Sequence, residues 1–117
     1  MSYMLLIVEP VGQRQSRTES EGRAVYDSMV RFSELLKTRG LLTMSQSLKA
    51  DHHGSRVKVR GDATIVVDGP FAEAKEVIGG IFLLTCKTRE QAIAIASECP
   101  VARSATIEVR ELGPCFK

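Results

Sequence analysis

The chain has 117 residues, 44% hydrophobic and 26% charged, with 16 Lys and Arg against 14 Asp and Glu. A chain of this length can bury roughly two thirds of its unfolded surface, so we expect a single domain over residues 1–117 that needs no disulfide or metal to fold. The formal net charge of +2 argues against a dedicated nucleic-acid-binding protein.

The first half of the chain predicts a strand, a long helix and a second extended segment. Residues 3–8 form an almost unbroken apolar run whose length suits a strand that is buried on both faces. Thr18 and Glu21 have the spacing of a capping box, and the apolar residues that follow at intervals of three or four predict an amphipathic helix that ends at Gly40. Residues 41–49 indicate an extended segment.

The second half predicts a hairpin, a strand, a helix and a last strand. After a polar loop at residues 50–55, charged and apolar residues alternate up to Gly61, where Gly-Asp offers a two-residue turn. Residues 81–86 are apolar throughout and predict a buried strand. A second capping box opens a helix that stops before Pro100, and alternation over residues 105–110 predicts a strand with one dry and one wet face.

This order of elements predicts an α+β fold of the ferredoxin-like, split βαβ type: an antiparallel sheet with two helices on one face and an extra β-hairpin. The strands at residues 3–8 and 81–86 are apolar on both faces, whereas two helices of this length can cover only one face of the sheet. A second copy of the sheet is the simplest cover. We therefore predict a homodimer with its sheets face to face and a cavity near their edges.

The cysteines and the N-terminus bear on the compartment. Cys86, Cys99 and Cys115 are odd in number, widely spaced and without a C-x-x-C pair, so reduced structural thiols are expected. No basic segment precedes the first apolar run, and no run approaches the roughly 18 apolar residues of a membrane span. These features predict a cytoplasmic protein without a membrane partner.

The run DGPFAEAKE, which begins at Asp68, is the most unusual passage in the chain. Asp68 ends a predicted strand, and Glu73, Lys75 and Glu76 follow closely, beside two apolar strands. A carboxylate in that place would lose water and acquire a raised pKa, which is typical of acid/base chemistry. Alternatively, Asp68 only initiates the turn by bonding its own backbone, a role that aspartate often fills.

This run and the Ile-Gly-Gly that follows it resemble the signature of YCII-related proteins of the DGPF type, small bacterial proteins of the dimeric α+β barrel superfamily. The opening Tyr-Met-Leu-Leu-Ile, the Arg-Glu-Gln-Ala of the second helix, the Cys-Pro after it and the terminal Glu-Val-Arg also match. The resemblance implies a dimer of ferredoxin-like subunits. It also implies a pocket at the sheet edge in which Asp68 acts as acid or base.

One departure from the family concerns a catalytic pair. Related YCII-type proteins are thought to pair a histidine on the first helix with an aspartate, but the first predicted helix of this chain has no histidine. That dyad is therefore not carried over. Proton transfer would depend on Asp68 with Glu73, Lys75 or Glu76.

Three further side chains are candidates for binding a ligand. His52 and His53 contain imidazoles suited to metal or proton binding, but no third ligand has suitable spacing, so a solvated loop is the simpler interpretation and no metal is predicted. If the loop folds over the pocket, one of these histidines serves it. Tyr26 lies one position off the apolar stripe of the first helix and is expected at the cavity or its rim.

Arg56, Lys58 and Arg60 project from one face of a predicted strand. Such a row binds phosphate or carboxylate groups in some proteins, and in others it protects an edge strand against aggregation, which we favour here. Single-stranded nucleic acid would also need stacking aromatics, and no Phe or Tyr occurs between Phe32 and Phe71. No nucleic-acid partner is expected.

Together these features predict a homodimer that binds an unidentified small molecule and carries out lyase-like or isomerase-like acid/base chemistry around Asp68. No cofactor is implied. Because DGPF-type proteins are often associated with alternative sigma factors, the resemblance also allows a regulatory or ligand-sensing module without catalysis. A structural dimer without chemistry is a third interpretation, and the fold alone does not choose among the three.

Overall fold

Six strands and two helices follow one another along the chain in a computed structural model that describes residues 1–116. In chain order the elements are β1 (Ser2–Pro10), α1 (Glu19–Thr38), β2 (Leu42–Ser47), β3 (Ser55–Arg60), β4 (Ala63–Asp68), β5 (Glu76–Thr85), α2 (Arg89–Ser97) and β6 (Thr106–Glu111). One 3-10 turn, Asp51–His53, lies between β2 and β3. This is the order that the sequence predicts.

The main sheet has four strands in the order β2-β5-β1-β6, and all neighbours are antiparallel. With β3 and β4 set aside as a separate two-stranded sheet, this is the strand order of a ferredoxin-like fold. The predicted α+β architecture with an extra hairpin is confirmed. Within residues 1–116, neither helix has both the length and the apolar character that crossing a membrane requires.

Each helix begins at a threonine that the sequence marks as a cap. The Thr18 hydroxyl accepts a hydrogen bond from the Glu21 backbone N–H, and the Thr18 backbone N–H donates to the Glu21 carboxylate, which completes the capping box of α1. These bonds lower the pKa of Glu21. Thr88 caps α2 by accepting from the Gln91 backbone N–H.

The core lies between the two helices and one face of the main sheet. Tyr3, Leu5 and Ile7 alternate along β1 and are buried on that face. The rings of Phe32 on α1 and Phe82 on β5 pack edge to face, with centroids 5.4 Å apart. The other buried members of the core are Leu36, Leu84, Cys86, Ala92, Ile95, Ala96, Cys99 and Val101.

The opposite face of the main sheet is also apolar. Successive strand residues point to opposite faces, so Met4 and Leu6 point away from the helices, with Leu83 and Ile81 opposite them on β5. All four are only half-buried. The chain is 19 Å thick in its shortest dimension, and its Cα radius of gyration is 16.0 Å, against roughly 13 Å for a compact domain of this length.

The β3–β4 hairpin extends from the main sheet with every one of its strand residues exposed. Its base is held at the DGPF turn, which contains a cis Gly69-Pro70 peptide. Gly69 has room for no side chain there, because a Cβ would overlap the carbonyl oxygen of Asp51. The Arg56 guanidinium lies 4.0 Å from the centre of the Phe71 ring.

Several boundaries differ from the sequence prediction, and β1 runs to Pro10 rather than to residue 8. β5 begins at Glu76 rather than at residue 81, because its antiparallel pairing with β1 continues to Pro10, which lies opposite Glu76. The excursion after Asp68 is therefore shorter than predicted. The loop predicted at residues 50–55 contains the 3-10 turn and the first residue of β3.

The burial of the cysteines predicts their reactivity. Cys86 and Cys99 are buried, and desolvation raises the pKa of both thiols, whereas Cys115 is exposed. We expect the folded protein to react rapidly with one equivalent of Ellman's reagent at mildly alkaline pH, and Cys115→Ser to remove that fast phase. Rapid modification of two or more thiols in the folded wild type would contradict this burial.

Candidate functional site

A cleft of about 860 Å³ lies between α1 and the helix-facing side of the main sheet. Its apolar lining includes Ile7, Val25, Met29, Val30, Leu42, Met44, Phe82, Val101 and Ala105. Its polar lining includes Glu9, Gln13, Arg14, Arg17, Tyr26, Ser33, Glu34, Lys37, Thr43, Ser45, Gln46 and Ser47. An apolar cavity with a few convergent polar groups is the usual form of a small-molecule site.

The cleft exists because α1 packs on the sheet mainly through its second half. Phe32 and Leu36 are buried, whereas Met29 and Val25, about one and two turns before Phe32 on the same stripe, are only partly buried. Beneath this first half of the helix, β5 contributes Gly79 and Gly80. Both glycines line the cleft, and the Glu9 and Arg14 side chains occupy the space that a side chain at Gly79 would need.

An ion pair between a buried carboxylate and a half-buried arginine borders the cleft. Glu9 continues the buried face of β1 and is 6% exposed. The Arg14 Nη2 lies 2.7 Å from the Glu9 Oε1, and the Arg14 Nε donates to the Glu9 Oε2 at 3.2 Å. The same guanidinium donates to the carbonyl oxygens of Leu48 at 2.5 Å and Gly79 at 3.0 Å. Arg14 therefore ties β1, β5 and the end of β2 together.

Gly79 lets this ion pair lie close to the sheet. A Cβ at this position would overlap the Glu9 Oε1 and come within 2.7 Å of the Arg14 Nη2. The β1–β5 register also shifts here, since Ile7 lies opposite Gly80 while Val8 lies opposite Ile78. Gly79 is thus the extra residue of a β-bulge, which bends the strand beneath the ion pair.

Hydroxyl groups line the side of the cleft next to β2. The side chains of Ser33 on α1 and Ser45 on β2 form a hydrogen bond of 3.2 Å across the gap between helix and strand. Tyr26, which the sequence places at a cavity or its rim, lines the cleft and is 59% exposed. The cleft thus offers apolar contacts from the core and hydroxyl groups from its walls.

Asp68 lies outside the lining of this cleft, at the end of β4. Its Oδ1 accepts a hydrogen bond of 2.7 Å from the Ser55 hydroxyl, directly across the hairpin. Its side chain is exposed, because nothing in the described part of the chain covers the hairpin. In the single chain this carboxylate is therefore in contact with solvent. Its acid/base role stays a prediction.

The other predicted binding residues also lie outside the cleft. Glu73 and Lys75 are exposed in the loop after the DGPF turn, and Glu76 is an exposed residue at the start of β5. His52 and His53 are exposed in the 3-10 turn, with ring centres 4.3 Å apart. Among residues 1–116, no group of three or more His, Cys, Asp or Glu side chains is arranged to hold a metal ion.

Sequence reasoning missed Glu9 and Arg14. One signal was available: Glu9 is in phase with Tyr3, Leu5 and Ile7, so a strand extended by two residues places a carboxylate on the buried face. Buried carboxylates are rare unless they are paired. The partner was harder to identify, because Arg14 follows the strand in a turn whose path the sequence pattern does not show.

Comparison with known proteins identifies the family. The sequence model of the YCII-related domain matches residues 1–115. The chain belongs to the YCII-related family. The resemblance carried by the DGPFAEAKE run is thereby confirmed at the level of the family.

One curated relative is an uncharacterized protein of Rhizobium meliloti, which is 43% identical over 52 residues. The match covers 43% of this YCII-related chain and 42% of the relative, so it spans less than half of the relative's length. The relative's name states no activity or ligand.

The close approach at Gly79 predicts the effect of adding a single methyl group. In this YCII-related protein, Gly79→Ala should displace the Glu9–Arg14 pair and lower the free energy of unfolding by about 1–3 kcal/mol, as overpacking does elsewhere. The matched control is Gly113→Ala, since a Cβ at Gly113 has no atom within 4 Å. Equal urea midpoints for both variants would contradict the role given to Gly79.

Proposed function

We propose that this protein is a homodimer that binds a small molecule in the cleft between α1 and the main sheet. The cleft volume of about 860 Å³ falls within the roughly 300–1,000 Å³ of known ligand sites. The observation that carries the proposal is the combination of an open apolar cleft with the Glu9–Arg14 pair at its border. Apolar walls with a few polar and charged groups at their border are the usual composition of a ligand site.

The geometry supports binding or ligand sensing more directly than catalysis. Both oxygens of Glu9, the buried carboxylate of the cleft, are engaged by Arg14. The Glu9 charge is therefore already paired within the protein, whereas a general base acts on a proton of the substrate. The lyase-like or isomerase-like role of Asp68 is kept as the alternative proposal, with the reaction then taking place at the base of the hairpin.

The dimer is supported by the apolar side chains that the single chain leaves uncovered. Met4, Leu6, Ile81 and Leu83 lie on the face of the sheet away from the helices. On the hairpin, Val57, Val59 and Val66 are 57–63% exposed. An isolated two-stranded hairpin is marginally stable in water, so both features favour a second copy of the chain as their cover.

A substitution on the face of the sheet away from the helices tests the dimer. We expect the wild type to sediment at twice the chain mass at micromolar concentration. Leu6→Lys or Leu83→Lys should sediment as a monomer with unchanged helical circular dichroism, because a charge would be buried without a partner.

Ile93→Lys is the matched control for these variants, since Ile93 is 40% exposed on α2. It should stay dimeric. A monomeric wild type would refute the dimer and leave the cleft proposal unaffected.

A substitution at the border of the cleft tests ligand binding. Val30 lines the cleft and is 38% exposed, so Val30→Trp should narrow it without disturbing the core. We expect small molecules found by ligand-observed NMR to lose at least tenfold in affinity in this variant, and to bind normally to Ile93→Trp and Asp68→Asn.

The Asp68→Asn variant shows whether the ligand binds in the cleft or at the base of the hairpin. Unchanged binding to Val30→Trp together with weakened binding to Asp68→Asn would overturn the cleft proposal in favour of the hairpin base.

A further inference from the structure

We infer that the cleft takes an amphipathic carboxylic acid, with its carboxylate on Arg17 and its apolar body between α1 and the sheet. This inference rests on the proposed function and names the class of ligand. It is carried by the distribution of charge around the cleft and by the chemistry of the cleft's walls.

Arg17 is the half-buried cation at the start of α1 whose charge is not used within the described chain. It lines the cleft, and its guanidinium forms no hydrogen bond or ion pair with any residue from 1 to 116. Its backbone N–H donates to the Arg14 carbonyl oxygen, which fixes its position at the turn before α1. A partly desolvated arginine without a partner is suited to bind an anion in two-point geometry.

The other charged groups around the cleft are already engaged or lie in solvent. Arg14 is held by Glu9 and by two carbonyl oxygens. Glu21 accepts the Thr18 backbone N–H and forms no ion pair with Arg17; its pKa is lowered mainly by its hydrogen bonds with Thr18, and the charge of Arg17 acts in the same direction. Lys37 and Glu34 are exposed near the other end of α1.

This arrangement favours a single negative charge over a phosphate. One unpaired guanidinium matches one carboxylate, whereas a phosphate monoester carries up to two charges at neutral pH and is usually bound by several donors. A monoanion is therefore the better match.

The walls next to Arg17 require an apolar body. Ile7 and Phe82 form the sheet side of the cleft, and Val25 and Met29 form the helix side. Each methylene that moves from water onto these surfaces should increase affinity about fourfold. A flexible thioether such as Met29 adapts to ligands of different shape, so linear and aromatic acids are both suited.

The test compares probes that differ only in their head group. Isothermal titration of the full chain with octanoate, octanol, octylamine and octyl phosphate should show octanoate binding at least tenfold more tightly than the other three. Arg17→Gln should reduce the affinity for octanoate to that for octanol and leave the affinity for octanol unchanged. Arg17→Lys should retain part of the preference.

Arg23→Gln is the matched control, because Arg23 lies on the same helix, pairs with Glu19 and is 77% exposed at its side chain. It should leave the affinities for all four probes unchanged. Equal affinity of the wild type for octanoate and octanol, or tighter binding of octyl phosphate or octylamine, would overturn the carboxylate inference while cleft binding stands. Failure of all four probes to bind would overturn the inference, and the Val30→Trp comparison with other ligands then decides the cleft proposal separately.

Discussion

The site depends on the ion pair between Glu9 and Arg14 above Gly79. A carboxylate at the end of a buried strand is tolerated only with a partner, and the guanidinium that serves it also binds carbonyl oxygens of Leu48 and Gly79. This network holds the turn before α1 against the sheet. The same turn leads into α1 and carries Arg17, which lines the cleft.

The cleft and the uncovered sheet face have a common origin in the thinness of the subunit. Two helices pack on a four-stranded sheet, and α1 contacts it most closely through Phe32 and Leu36 in its second half. The first half therefore leaves a cleft between helix and sheet, and the other face of the sheet receives no helix. The subunit has one layer of helices and one sheet. This is too little to cover all of its apolar side chains, so one face of the sheet stays open and a cleft remains on the other.

The DGPF turn is explained by the geometry of the hairpin base. Asp68 accepts a hydrogen bond from Ser55, Gly69 accommodates the Asp51 carbonyl, and Phe71 lies against Arg56. These contacts hold the ends of β3 and β4 to the 3-10 turn. The DGPF residues thus stabilise the base of the hairpin. The groups that line the cleft lie elsewhere in the sequence.

The sequence by itself determined the order of the elements, the caps at Thr18 and Thr88, the ferredoxin-like fold and the family, because these depend on local periodicity and short motifs. Only the tertiary structure decided that Glu9 and Arg14 meet above Gly79, that Arg17 lines the cleft and that Asp68 is exposed. These contacts depend on the path of the turn before α1 and on the distance between α1 and the sheet. Local sequence patterns specify neither.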